Sequence, residues 1–264
     1  MLCWATLVCG QETFSGTIID SESGEALPYA NVGVVGKNIG TVTDIKGEFS
    51  LKIDAEYDAD TLMMSMIAYE DLVFVVRDFK EQLSNNSTFK LTSKTTDLQE
   101  IVVSGSQLKS KILGNKTKSK NIRGHFIADE LGSEVGIIIK IKKSPTYIDK
   151  FHASIAENKY GLLKFRLNFY TVKDKMPHEN ILTENIIVET QIKEGVLTVD
   201  LSEYNIVVED DFMVSLEWVE DLGEDGLFFS MSFFGSPVIS RQTSQAYWKK
   251  LKPIGIGFSV TAKY

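Results

Sequence analysis

The sequence offers almost no thiol chemistry. Its two cysteines, Cys3 and Cys9, both fall within the first ten of 264 residues, so the rest of the chain can build neither a disulfide framework nor a thiolate site. Histidine is nearly as scarce. His125, His152 and His178 have no second histidine or cysteine at ligand spacing, which speaks against a zinc site. There is no Gly-x-Ser-x-Gly elbow for a nucleophilic serine. No glycine-rich loop leads into a helix to cradle phosphate. No stretch approaches the ~20 apolar residues of a membrane-spanning helix. A transmembrane barrel needs many strands of about ten residues, more than remain once a first domain is set aside. Neither a cofactor nor a nucleic-acid partner is expected.

What is present is a regular alternation of short β-rich runs and glycines. Between residues 29 and 51, Gly33, Gly36, Gly40 and Gly47 punctuate the chain. Val32, Val34 and Val35 suit a strand, and Gly36-Lys37-Asn38 suits a turn. Ile39, Thr41 and Val42 make a second strand. Thr43 to Gly47 turns again before Glu48-Phe49-Ser50-Leu51. Glycine and asparagine supply the positive φ that tight turns require. Runs this short, with turn signals this frequent, read as antiparallel β-structure rather than helix. Phe49 and Leu51 share one face of their strand, so Phe49 is expected in the core.

Upstream of this stretch lie Gly16-Thr17-Ile18-Ile19-Asp20 and Ser23-Gly24-Glu25-Ala26-Leu27-Pro28. The series is a strand ending in Asp, a Gly-Glu-x-Leu-Pro turn, Ala-Asn-Val, a Gly-x-x-x-Gly-Thr hairpin and Thr-Asp-x-x-Gly-x-Phe. It resembles the carboxypeptidase-like regulatory domain common in Bacteroidetes envelope proteins. The segment Asp60 to Tyr69 resembles that family's Leu-x-x-Ser-x-x-Gly-Tyr strand, with Ala68 where the family usually has glycine. Leu98 to Gly105 resembles its closing segment. The resemblance covers roughly residues 13 to 105. It implies a transthyretin-like, seven-stranded Greek-key sandwich, and it implies that the module is not itself catalytic.

Charge divides the chain. Residues 11–105 carry a net −9, residues 106–123 a net +6 with no acid, and residues 124–264 a net −5. The middle segment holds Lys109, Lys111, Lys116, Lys118, Lys120 and Arg123 and reads as an exposed basic linker. Such a linker is either a solvated tether or a contact for anionic lipid. Residues 1–10 (MLCWATLVCG) resemble the end of a secretory signal peptide, cut after Gly10; the competing reading is a first strand.

Residues 124–264 again read as strands, at least eight of them, which fits a jelly-roll-like β-sandwich. In 163–169 the alternation is strict, Leu163, Phe165, Leu167 and Phe169 against Lys164, Arg166 and Asn168, as on a half-buried strand. The motifs around 165–170, 199–201 and 212–218 resemble the β domain that follows the regulatory domain in related proteins; the resemblance brings no activity. By parity, Trp218 joins Phe212, Val214 and Leu216 in the core. The fold class expected is therefore all-β, two successive sandwiches.

Few side chains invite chemistry. Glu209-Asp210-Asp211 and the loop 220–226 hold enough carboxylates for calcium, although the spacing is not that of an EF-hand and hairpin loops are commonly acidic. Tyr247 and Trp248, flanked by Ser244, Gln245, Lys249 and Lys250, are the candidate ligand-binding residues, able to stack on a sugar or anchor a protein. The competing reading packs them over the rim of their own sandwich. The function expected is a non-enzymatic, exported envelope protein of the periplasm or cell surface, an adaptor or binding module for a glycan or protein. The alternative is an accessory component of TonB-dependent nutrient uptake, suggested by Asp97 to Gly105, whose sequence resembles a TonB-engaging box.

Overall fold

A computed structural model describes residues 12–94, 108–128 and 130–264; for residues 127, 128, 224 and 225 only the backbone is described. The segments expected to be a signal peptide and a TonB-engaging box lie outside the described residues. The described chain forms two compact units. One comprises the residues up to 94 together with Thr243–Tyr247, the other the remainder. The fold class is all-β, as the residue pattern implied, with a single α-helix among the described residues.

In the first unit, Glu48–Ile53, Glu12–Asp20 and Thr88–Leu91 form one sheet, and Gly40–Val42, Asn31–Val34, Thr61–Ser65 and Leu72–Val75 form the other. Among the described residues seven strands are present, and those of 29–51 fall where the glycines placed them. The motif residues earn their positions through hydrogen bonds. Asp20 Oδ1 accepts from the backbone N–H groups of Glu22 (2.8 Å) and Ser23 (2.7 Å), and Tyr69 Oη donates to Asp20 Oδ2 at 3.0 Å. The Ser23 and Glu22 amides, with the Tyr69 hydroxyl, hold the Asp20 carboxyl below its ordinary value. Thr43 is fully buried: its Oγ1 donates to Leu27 O and accepts from Ala30 N. Asp44 Oδ1 accepts from Lys46 N and Glu48 N, closing the turn that Gly47 completes at φ 74°.

The core between these sheets is aromatic. Phe49, Phe79 and Phe89 are buried, and Phe79 stacks on Phe89 with ring centroids 5.5 Å apart. Phe79 comes from the helix Val76–Asn85, which the sequence reading left out. Its apolar positions Val76, Phe79 and Leu83 follow helical spacing, but at ten residues, with no side-chain N-cap, its signal is weak.

In the second unit, two sheets close on one large core. The first runs in the order Met176–Asn180, Leu163–Lys173, Phe212–Trp218, Glu134–Ile139, Val238–Arg241, Lys249–Leu251, with Ile186–Thr190 also paired to the second of these. The second sheet centres on Thr146–Asn158, which pairs with Gly195–Asp200, Gly223–Phe233 and Phe258–Lys263. Trp218 is fully buried against Phe126, Phe165 and Tyr160.

Three sequence expectations change here. Ser110–Gly114, assigned to the basic linker, is a strand paired with Phe258–Lys263; a lysine such as Lys111 on an edge strand guards the edge without preventing the ladder. The second unit is not contiguous, because Thr243–Tyr247 belongs to the first. The polar face of Leu163–Lys173 is not solvated: Arg166 and Asn168 are as buried as Leu167, because both meet Glu217 on the neighbouring strand and Asn168 also reaches Glu134 one strand further.

Two stability predictions arise from the first unit. Phe49→Ala removes a ring packed against Phe79 and Phe89 and should cost about 3–5 kcal/mol; a loss under about 1 kcal/mol in chemical denaturation would contradict its burial. Ala68 sits at φ 68°, where an L residue pays about 1 kcal/mol or more. Part of that returns as backbone entropy with glycine. Ala68→Gly should therefore raise stability by about 0.5 kcal/mol or leave it level, and a clear loss in urea denaturation would show that the strain is absent.

Candidate functional site

The densest ionisable cluster is a buried network on the outward side of the first sheet of the second unit. Glu134 and Glu217 are both fully buried, as is Arg166, and Arg241 nearly so. Arg241 donates from Nε to Glu134 Oε2 at 2.9 Å, and its Nη2 lies 2.7 Å from the same oxygen. Arg166 Nε donates to Glu217 Oε2 at 2.9 Å. Asn168 Nδ2 bridges the two carboxylates, 3.0 Å from Glu134 Oε1 and 2.7 Å from Glu217 Oε2. The Ser215 hydroxyl donates to Glu134 Oε1, and Tyr170 Oη to Glu134 Oε2 at 3.3 Å.

The register makes this meeting necessary. Glu134 pairs across with Glu217 on one side and Arg241 on the other, and Arg166 pairs with Glu217. The side chains thus stand in a row across four strands in the order Arg166, Glu217, Glu134, Arg241, each carboxyl flanked on its outer side by a guanidinium and the two carboxyls bridged by Asn168. Burial pushes the Glu134 carboxyl up, opposed by Arg241. Burial also raises the Tyr170 hydroxyl well above its usual range, with Glu134 adding to it. For Arg241, burial acts downward, but Glu134, Tyr170 and Glu217 outweigh it and hold the guanidinium above its ordinary value.

Trp248 belongs to this network. Its ring lies 4.7 Å from the Arg241 guanidinium and meets Tyr170 edge-on at 5.7 Å, and it is only partly exposed. Cation–π contact with an arginine already held by Glu134 gives Trp248 a fixed seat.

Tyr247, its chain neighbour, lies in the first unit and is 73% exposed. Its ring covers Gly36, where a Cβ would come within 2.5 Å of the ring. The segment leading to it rests on the glycine hairpin: Gly36 N donates to Gln245 O at 2.8 Å, Ser244 Oγ to Asn31 Oδ1 at 2.8 Å, and Gln245 Nε2 to Ser65 Oγ at 2.8 Å. A Cβ on Gly33 or Gly40 would meet Ser244 O at 2.4 or 2.3 Å. These two glycines therefore serve a close backbone approach as well as a turn. The two candidate aromatics are not equivalent: Tyr247 presents its ring to solvent, and Trp248 spends much of its surface on Arg241 and Tyr170.

The other sequence candidates disperse. His125 stacks on Phe228 at 4.5 Å, His152 lies between the hydroxyls of Thr198 (3.0 Å) and Thr261 (2.8 Å), and His178 is 3.5 Å from Glu179. In the acidic segments, Asp211 Oδ1 accepts from Ile141 N, Asp221 Oδ1 from Gly223 N, and Glu220 lies 3.6 Å from Lys164. Among the described residues no three His, Cys, Asp or Glu side chains gather to hold a metal ion, and no helix is long and apolar enough to cross a membrane. Sequence reading missed the charge network. Its one visible signal was the placement of Glu134, Arg166, Glu217 and Arg241 within otherwise apolar strands.

Comparison with known proteins bears on the first unit. TonB-dependent receptor P3 of Formosa agariphila is 29% identical over 105 residues, 40% of this chain and 10% of the receptor. The chain thus spans about a tenth of the length of this curated relative. The solved structure of the cysteine protease and lectin-like domains of Cwp84, a surface layer associated protein of Clostridium difficile, aligns over 95% of this chain and 58% of its own. The TM-score is 0.38 at 8% identity, a likeness too weak to bear on fold or activity. Residues 14–103 match the CarboxypepD_reg-like domain family. The Asp20–Tyr69 bond, the buried Thr43, the Asp44 turn and the glycine hairpin are the physical content of that match, and this part of the chain is a CarboxypepD_reg-like domain.

Proposed function

We propose that the protein is a non-catalytic, exported envelope protein that binds a glycan or protein partner, with the CarboxypepD_reg-like domain as a rigid adaptor. The observation that carries this reading is the match of residues 14–103 to a regulatory rather than catalytic domain type. The second unit is consistent with it. Its buried carboxylates and guanidiniums are engaged with one another, and an acid or base that must exchange protons with a substrate needs access that such a network denies. Of the aromatic pair offered for partner contact, Tyr247 supplies the open ring face. Trp248 takes part through the Arg241 stack that fixes the chain beside it.

A second reading is favoured by the similarity to TonB-dependent receptor P3: an accessory role in TonB-dependent uptake. Both readings place the protein in the envelope and differ in partner. A glycan array and a pull-down with the periplasmic part of TonB distinguish them.

The expected outcome is recovery of the protein in the envelope fraction. Tyr247→Ala should retain its melting temperature and lose binding to the glycan or to TonB, whichever the wild type binds. Trp248→Ala should melt lower. Recovery in the cytoplasmic fraction would overturn the export reading, and undiminished binding by Tyr247→Ala would remove that residue from the contact.

A further inference from the structure

A groove of about 340 Å³ opens on the outer face of the second sheet of the second unit. Its floor is built from strands that are neighbours in the sheet: Ser110–Gly114, Phe258–Lys263, Thr146–Asn158 and Gly195–Asp200. One rim is the chain at 115–118, which continues from the first of these strands. The volume falls within the range of small-molecule sites.

The rim is fixed at alternate residues. Asn115 is buried: its Nδ2 donates to Ser236 O (2.9 Å) and Ile256 O (3.0 Å), and its Oδ1 accepts from Ser236 N (2.8 Å). Thr117 Oγ1 donates to Met231 O at 3.2 Å. Between and beyond these anchors, Lys116 and Lys118 are exposed and line the groove. Among the described residues neither forms an ion pair, whereas Lys120, two positions on, is held by Glu194 at 2.9 Å. No Asp or Glu lines the groove. Two ammonium groups are thus presented by a backbone that is already ordered, so a ligand meets little ordering cost in the rim.

The floor is neutral and rich in hydroxyls. Ser154 and Ser259 line it, both buried; Ser154 Oγ donates to Ser230 Oγ at 3.3 Å, and Ser259 makes no side-chain hydrogen bond among the described residues. His152 is pinned through both ring nitrogens by Thr198 and Thr261. Burial, with Lys150 nearby, holds its pKa below the ordinary value, so it lies uncharged in the floor at neutral pH. Gly257 keeps the floor open: a Cβ there would come within 2.8 Å of both Ser154 Cβ and Thr117 O. Ile112 and Val196, each about 40% exposed, add an apolar strip.

We propose that this groove binds an acidic saccharide, a sugar carrying a carboxylate or sulfate. The anionic group pairs with Lys116 and Lys118, the sugar hydroxyls meet Ser259 and Ser154, and the apolar ring face lies along Ile112 and Val196. Charge complementarity selects an anion, and the serines with the apolar strip select a hydroxylated ring over a bare inorganic ion. Tyr247 is not among the residues that line the groove, and the test does not depend on it.

The experiment is isothermal titration of the full chain with digalacturonate, a sulfated galactose disaccharide, the neutral galactose disaccharide, and inorganic sulfate and phosphate. At least one acidic disaccharide should bind at least about tenfold more tightly than the neutral one, and more weakly as salt is raised. The double variant Lys116→Ala/Lys118→Ala should lose about tenfold or more of that affinity at an unchanged melting temperature, and the double arginine variant should retain most of it. Equal affinity for acidic and neutral sugars, equal affinity for inorganic sulfate, or no acidic sugar binding at millimolar concentration would each overturn the proposal. Should the double alanine variant melt lower, Ser259→Val supplies the second test, since loss of the hydroxyl should weaken the sugar and leave inorganic sulfate unaffected.

Discussion

The second unit depends on four charges that have nowhere to go but each other. Glu134, Arg241, Glu217 and Arg166 occupy facing positions on adjacent strands and are shielded from water. Burying a carboxylate or guanidinium costs several kcal/mol even after relaxation, and only a partner of opposite sign with good geometry offsets it. The strand order is therefore constrained by charge as well as by apolar pattern. A register slip by one residue in any of these strands would carry its charge to the opposite face, toward a core that includes Phe165, Leu167, Val214 and Leu216, and leave its partner unpaired. The ion network specifies which strands lie together, and the apolar face supplies the driving force.

The first unit meets a constraint of a different kind, steric closeness. Phe49, Phe79 and Phe89 hold its two sheets together. Its hairpin is kept bare by Gly33, Gly36 and Gly40, over which the backbone of 244–245 and the ring of Tyr247 lie. A single methyl group at any of these positions would enter occupied space. The motif that reads as a hairpin in the sequence is thus also a surface shaped for a close neighbour, which explains why glycine occurs more often here than the turns alone require.

Local features were legible from the residues. Turns at Gly36 and Gly47, strands at 31–34 and 48–53, and the burial of Phe49 and Trp218 follow from short-range pattern, because turn chemistry and period-two alternation act over a few residues. What escaped was set by partners far away in the chain. Arg166 reads as the polar side of an amphipathic strand until Glu217, 51 positions on, is placed beside it. Tyr247 and Trp248 read as a pair, yet Gly36 is the seat of one and Arg241 of the other. The lysines of 109–120 read as a solvated tether because composition cannot distinguish a tether from an edge strand followed by an anchored rim. The amide of Asn115, reaching Ser236 and Ile256, makes that distinction.

The Glu134–Arg241 and Glu217–Arg166 pairs are interior, while the Tyr247 ring and the Lys116 and Lys118 side chains are exposed. The buried Glu134, Arg241, Glu217 and Arg166 side chains form one structural unit. The measurement that tests it is a double-mutant cycle on Glu134→Gln and Arg241→Met by urea denaturation. A coupled buried pair should give an interaction energy of about 1.5–3 kcal/mol, with each single variant costing more than the double variant on account of the charge it strands. Additivity within about 0.5 kcal/mol would mean that the two residues act independently, and the account of the sheet built on their pairing would fail.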